Sequence, residues 1–184
     1  MVFSSTIFLI YFLPFFLITY WLTPQRFRNI TALFWSVLFY AWGAPKFIFV
    51  LFCSIVVDFF LAKKIYQSEI FLKKKYLLIS MVLNVGLLLY FKYSNFFIEN
   101  ANVLLENLGL TGVHWTNLAL PIGISFFTFQ KISYIVDIFR GKNTPLKKIS
   151  DLALYIILFP QLIAGPIVRY SEIKDQLQNR IANE

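Results

Sequence analysis

The chain has 184 residues, of which 59% are hydrophobic, 20% aromatic and only 14% charged. A soluble domain carries about 25% charged residues, so this composition cannot cover a water-facing surface and also excludes a disordered chain. Cys53 is alone and excludes a disulfide scaffold, while 17 Lys+Arg against 9 Asp+Glu, set among long apolar runs, reads as a membrane-orientation signal rather than a nucleic-acid footprint.

Residues 3–22 contain no charged side chain. At about 1.5 Å per residue they reach roughly 30 Å, the thickness of a hydrocarbon core. No basic region precedes them and no small-residue cleavage site follows, which predicts a retained anchor kinked near Pro14 rather than a signal peptide. Residues 30–42 and 47–62 flank Gly43-Ala44-Pro45, the punctuation of a helical hairpin with a tight turn. Lys63-Lys64 and Lys73-Lys74-Lys75 then mark a basic loop. Residues 76–91 are uncharged and extend through Phe96-Phe97, long enough to cross. The stretch 99–117 turns polar, with Glu99, Glu106, Gly109, Gly112 and the only histidine, His114.

Residues 118–139 are apolar again but carry Lys131 and Asp137, and a basic loop with Arg140, Lys142, Lys147 and Lys148 follows. Residues 152–168 are uncharged, yet Pro160 and Gly165-Pro166 prevent a regular helix across their second half, which predicts a re-entrant segment. In the tail, Tyr170, Ile173, Leu177 and Ile181 recur near helical period among charged residues, as in a helix lying in the membrane surface. The expected fold is an all-α, polytopic membrane bundle of about five spanning segments, a re-entrant broken helix and an amphipathic interfacial helix. It forms one domain over 1–184, with membrane segments in 1–168 and a cytoplasmic tail helix in 169–184.

Orientation follows from the bases. With the N-terminus outside, segments 23–29, 63–75, 140–151 and 169–184 fall inside and hold 14 of the 17 basic residues. Residues 99–117 then face outward.

Ionisable and polar groups inside apolar runs are costly, so these carry the most information. Gln130, Ser133, Tyr134 and Asp137 follow i, i+3, i+4, i+7 spacing and share one helix side, which must look inward as interhelical glue or as substrate contact. Lys131 points elsewhere on that helix and is expected to snorkel. Asp58 lies near Lys63, which predicts a structural ion pair in preference to a proton relay. Around Pro160, Gln161, Gly165 and Pro166 the backbone carbonyls are freed, a pattern tolerated at depth only in packed protein or around a wet cavity. Arg169, just beyond, suits either a donor phosphate or a lipid headgroup. His114 has no Ser, Asp or Glu at motif spacing and reads as an exposed loop residue, leaving no catalytic residue assigned in this chain. One Cys and one His make no protein-only zinc site, and no Gly-rich phosphate loop exists.

The string Leu120-Pro121-Ile122-Gly123-Ile124-Ser125-Phe126-Phe127-Thr128-Phe129-Gln130, with Ser133-Tyr134, Asp137 and Arg140-Gly141, closely resembles the membrane-bound O-acyltransferase family. So does Phe159-Pro160-Gln161 with Ala164-Gly165-Pro166-Ile167-Val168-Arg169-Tyr170. Together with Val2-Phe3-Ser4-Ser5 and Phe39-Tyr40-Ala41-Trp42-Gly43, these strings are most similar to the bacterial alginate O-acetyltransferase branch. The resemblance implies a multi-pass protein of the bacterial inner membrane that passes an acyl group from a cytoplasmic donor, acetyl-CoA or an acyl carrier protein, to an extracytoplasmic polysaccharide. It also implies an acceptor-side secreted partner as one option, no bound cofactor and no nucleic acid. The family's essential histidine lies downstream of the Gly165-Pro166 motif, so this chain is expected to be the amino-terminal part of a longer enzyme and inactive alone. The competing expectation is a small complete membrane scaffold or transport subunit whose broken helices form a permeation site. A basic module bound to anionic lipid ranks below both, since it leaves residues 120–130 unexplained.

Overall fold

The computed structural model describes residues 5–115, 118, 120, 121, 123–164 and 170, and of 162–164 only the backbone. Most of these residues are helical, and no strand occurs among them. In chain order the helices are α1 (Leu13–Leu22), α2 (Arg28–Gly43), α3 (Ile48–Gln67), α4 (Ile70–Asn107), α5 (Ile124–Phe139), α6 (Ile149–Ile157) and α7 (Phe159–Ala164). The irregularity expected near Pro14 is a π-type turn over Phe8–Phe12, where the Leu13 N–H reaches the Phe8 carbonyl just before the proline.

Among the described residues two helices are long and apolar enough to cross a membrane, the 23-residue Pro45–Gln67 and the 38-residue Ile70–Asn107. Phe8–Leu22 and Ile149–Gln161 are apolar but shorter. The apolar helices are therefore unequal in length. At 1.5 Å per residue α4 is about 57 Å long, well beyond a hydrocarbon core of roughly 30 Å. The polar stretch read as a loop from residue 99 is thus helical through Asn107. Its end is closed by Gly109, whose φ of +73° lets its N–H reach Glu106 O at 3.0 Å while Leu110 N–H reaches Leu105 O at 2.9 Å. Two asparagines then clasp the returning chain to the helix. Asn102 bonds both backbone groups of Val113, and Asn95 accepts from the Trp115 ring N–H and the Leu118 N–H and donates to Leu118 O.

The basic loop predicted over 63–75 is reduced to Ser68-Glu69, because Lys63 and Lys64 lie within the end of α3 and Lys73 to Lys75 within the start of α4. Nor do the helices around Gly43-Ala44-Pro45 fold back on each other as a hairpin. Past that turn, α2 lies on α6 and α3 lies on α4 and α5. The reason is the character of α6, in which Leu152 to Ile157 are all buried. A helix apolar on every side needs neighbours all round, and it draws α2 across the bundle.

α5 is equally central, packed on α3, α4 and α6, with nine of its 16 residues buried. α1 buries none of its own residues and turns Phe15, Ile18 and Trp21 outward, an apolar exterior suited to lipid.

Candidate functional site: a buried polar centre between α3, α4 and α5

Asp58 sits at mid-length of α3 and is 2% exposed. Ser80 and Asn84 occupy one face of α4 by their i, i+4 spacing and both turn toward it. The Ser80 hydroxyl donates to Asp58 Oδ1 at 2.7 Å, and Asn84 Nδ2 donates to Oδ1 and Oδ2 at 3.0 Å each. From α5, Lys131 Nζ reaches Asp58 Oδ2 at 3.4 Å with the lysine only 1% exposed. Three helices thus converge on one carboxylate whose charge is met inside the protein, as burial at membrane depth requires.

This arrangement corrects two expectations. Lys131 does not snorkel, because it lies on the packed side of α5 and its ammonium is held by Asp58, while the open side of that helix carries Phe126 and Phe129. Lys63 does not pair with Asp58; its ammonium lies over the Phe59 ring at 4.1 Å from the centroid. Ser80 and Asn84 were passed over in the sequence, although two polar residues four apart in an otherwise uncharged run are a face signal of the same kind as that on α5.

The predicted face of α5 does look inward. Gln130, Tyr134 and Asp137 are 2%, 0% and 8% exposed, and Ser133 is half-buried. Tyr134 is engaged in holding the following loop: its hydroxyl accepts from Leu146 N–H at 3.1 Å, and its ring meets Tyr170 edge-on at 4.9 Å. Tyr170 in turn donates to Thr144 O at 3.1 Å. The backbone of Asp137 closes α5, accepting from Lys142 N–H at 3.0 Å, while Gly141 with φ +71° donates to Ile138 O. Gln130 Oε1 and Thr128 Oγ1 are buried and have no hydrogen-bond partner among the described residues.

The helix break expected around Pro160 falls at Leu158, where ψ swings to 111° between α6 and α7. The Phe159 N–H freed there donates to Ser36 Oγ of α2 at 3.3 Å. The Phe159 ring enters a box of Phe8, Phe12, Phe16 and Phe39, with centroid distances from 5.0 Å to Phe16 up to 6.2 Å to Phe8. Gln161 is 9% exposed, and its Nε2 has no partner among the described residues. Gly165, Pro166, Arg169 and the tail 171–184 lie outside the described residues. His114 is exposed, as expected. Among the described residues no three His, Cys, Asp or Glu side chains gather in a way that would hold a metal ion.

Fold and composition define a helical membrane protein organised around buried polar contacts. In sequence the chain is 38% identical, over 98% of its length, to the probable alginate O-acetylase AlgI of Pseudomonas syringae pv. tomato, and 39% identical over 98% to that of Pseudomonas putida. A peptidoglycan O-acetyltransferase of Helicobacter pylori is 31% identical, again over 98% of this chain. The chain spans 35%, 38% and 39% of the lengths of these three relatives. No protein-family profile and no solved structure matches it. The chain is thus similar along 98% of its length to alginate O-acetylases, in agreement with the branch of the membrane-bound O-acyltransferases that its two motifs resemble.

Proposed function

We propose that these 184 residues form the amino-terminal part of a membrane-bound O-acyltransferase of the bacterial inner membrane. That enzyme moves an acetyl group from a cytoplasmic donor, acetyl-CoA or an acyl carrier protein, to hydroxyls of an alginate-like polysaccharide outside. The N-terminus lies outside, and Gly165, Pro166 and Arg169 are donor-binding candidates on the strength of the motif's resemblance. The likeness to acetylases along 98% of the chain carries this reading. Bases at three helix ends support the orientation: Lys64 of α3 lies over Tyr76 of α4, and Lys73 of α4 lies over Phe139 of α5, which gathers these ends with Arg140 on one side of the bundle. Within this part we assign α5, α6 and α7 a positioning role and no catalytic residue, so the chain alone is inactive. The transport-subunit reading is disfavoured by Phe159, which fills the helix break with aromatic packing where a permeation path would need space.

The test is a chimera. In an alginate producer lacking its own acetylase, the matching segment of the P. putida relative is replaced by this chain. Alginate acetyl content should return, whereas the 184-residue chain expressed alone should leave it at the deletion level. A chimera that inserts normally but leaves alginate unacetylated would count against the proposal.

A further inference from the structure

Beside the Asp58 centre, α3 and α4 enclose a groove of about 400 Å³. That volume lies in the range of about 300–1,000 Å³ typical of small-molecule sites. Its walls are apolar, with Phe49, Val57, Leu83 and Leu87 among them, and Phe49 and Leu83 are 78% and 48% exposed, so the groove opens sideways between the two helices. Its inner end is polar, formed by Asp58, Asn84 and Lys131.

The hydrogen-bonding capacity of that end is only partly used. Asn84 spends its Nδ2 on Asp58 and Ser80, which leaves Oδ1 on the other side of the amide, buried and without a partner. Lys131 has one polar partner among the described residues, Asp58, although an ammonium carries three donors. The ion pair is neutral as a unit, so an anionic or cationic ligand would bring an uncompensated charge into the bilayer. A group that accepts from Lys131 and donates to Asn84 answers both demands, and a hydroxyl is the smallest that does so without charge.

We propose that this groove binds an uncharged, hydroxyl-bearing lipid, with its alkyl chain along α3 and α4 and its hydroxyl between Lys131 and Asn84. The proposal rests on the geometry of the groove and not on the acyl-transfer reading. Cys53 lines the groove and is exposed, which makes it a native reporter. The full chain in phosphatidylcholine nanodiscs is labelled with pyrene maleimide in the presence of dodecanol or of chlorododecane, which matches its length but lacks the hydroxyl. With dodecanol at several times its dissociation constant, mass action should slow labelling about fivefold, and chlorododecane should have little effect. Asn84→Leu should erase the preference for the alcohol. Val57→Trp, which adds bulk to the groove's apolar wall and leaves Asp58, Asn84 and Lys131 in place, should slow labelling by itself and abolish the dodecanol effect, and it keeps the test open if Asn84→Leu does not fold. Equal protection by both probes, no protection by dodecanol, an alcohol preference that survives Asn84→Leu, or an undiminished dodecanol effect in Val57→Trp would each overturn the proposal.

Discussion

A carboxylate at membrane depth must be neutralised where it lies, and Asp58 is met by one ammonium and by hydroxyl and amide donors from α4. Removing one partner of such a pair strands a buried charge, at a cost of about 3–5 kcal/mol. Lys131→Met alone should therefore lower the thermal unfolding midpoint sharply in detergent, and Asp58→Asn added to it should recover most of the loss because the amide still meets Ser80. Lys63→Met, which removes only a contact with the Phe59 ring, should cost less than about 1 kcal/mol. If Lys63→Met proves the more damaging of the two lysine changes, the pairing described is wrong. Gly141 makes a different demand: at φ +71° a Cβ strains the backbone although nothing lies within 4 Å of it. Gly141→Ala should cost about 1–2 kcal/mol by the same unfolding measurement, and a neutral outcome would remove the capping account of the Arg140-Gly141 motif.

At the scale of elements, the break between α6 and α7 is held from two sides, by Ser36 at the freed amide and by the aromatic box around the Phe159 ring. Phe159→Ala should cost about 3–5 kcal/mol as a core cavity. Ser36→Ala leaves the buried N–H unmet and should cost about 1–3 kcal/mol. Both can be read from folded yield and detergent melts, and a Phe159→Ala protein as stable as the parent would show that the box does not anchor the break. The break itself was legible in the sequence because Pro160 has no N–H to give, and the apolar runs around α1, α3, α4 and α5 announced helices. Partnership was not legible. Hydropathy says that a segment avoids water and nothing about which neighbour covers it, so the α2–α6 contact and the Asp58–Lys131 pair, 73 positions apart, left no trace at helical spacing. The end of α4 was missed for a related reason: Glu99 to Asn107 carries polar residues that suit a helix outside the membrane as well as they suit a loop. Of the proposed site, Gln130, Tyr134, Asp137 and Gln161 proved buried as their spacing and setting implied. Tyr134, however, is committed to the loop after α5, a role no periodicity could reveal.

For the whole molecule, α4 acts as a ruler. Its basic start at Lys73-Lys74-Lys75 and its acidic residue Glu106 are about 46 Å apart along the helix axis at 1.5 Å per residue. A hydrocarbon core is roughly 30 Å thick, so even a helix tilted by about 40° carries these two ends past opposite faces. The proposed orientation, which follows the positive-inside rule, has the lysines in the cytoplasm and Glu106 outside. Single cysteines replacing Glu69 and Glu106, both exposed, test this in a Cys53→Ser background. In spheroplasts an impermeant maleimide should label Glu106→Cys at once, and Glu69→Cys only after the membrane is permeabilised. Labelling of Glu69→Cys alone would invert the protein. Labelling of both from one side would mean that α4 does not cross, and the acceptor-side placement of its far end would fail with it. Only with the far end of α4 outside can the clasped return through Asn95 and Asn102 bring residues 120–130 back into the membrane from the acceptor side, which is where the proposed enzyme requires α5 to begin.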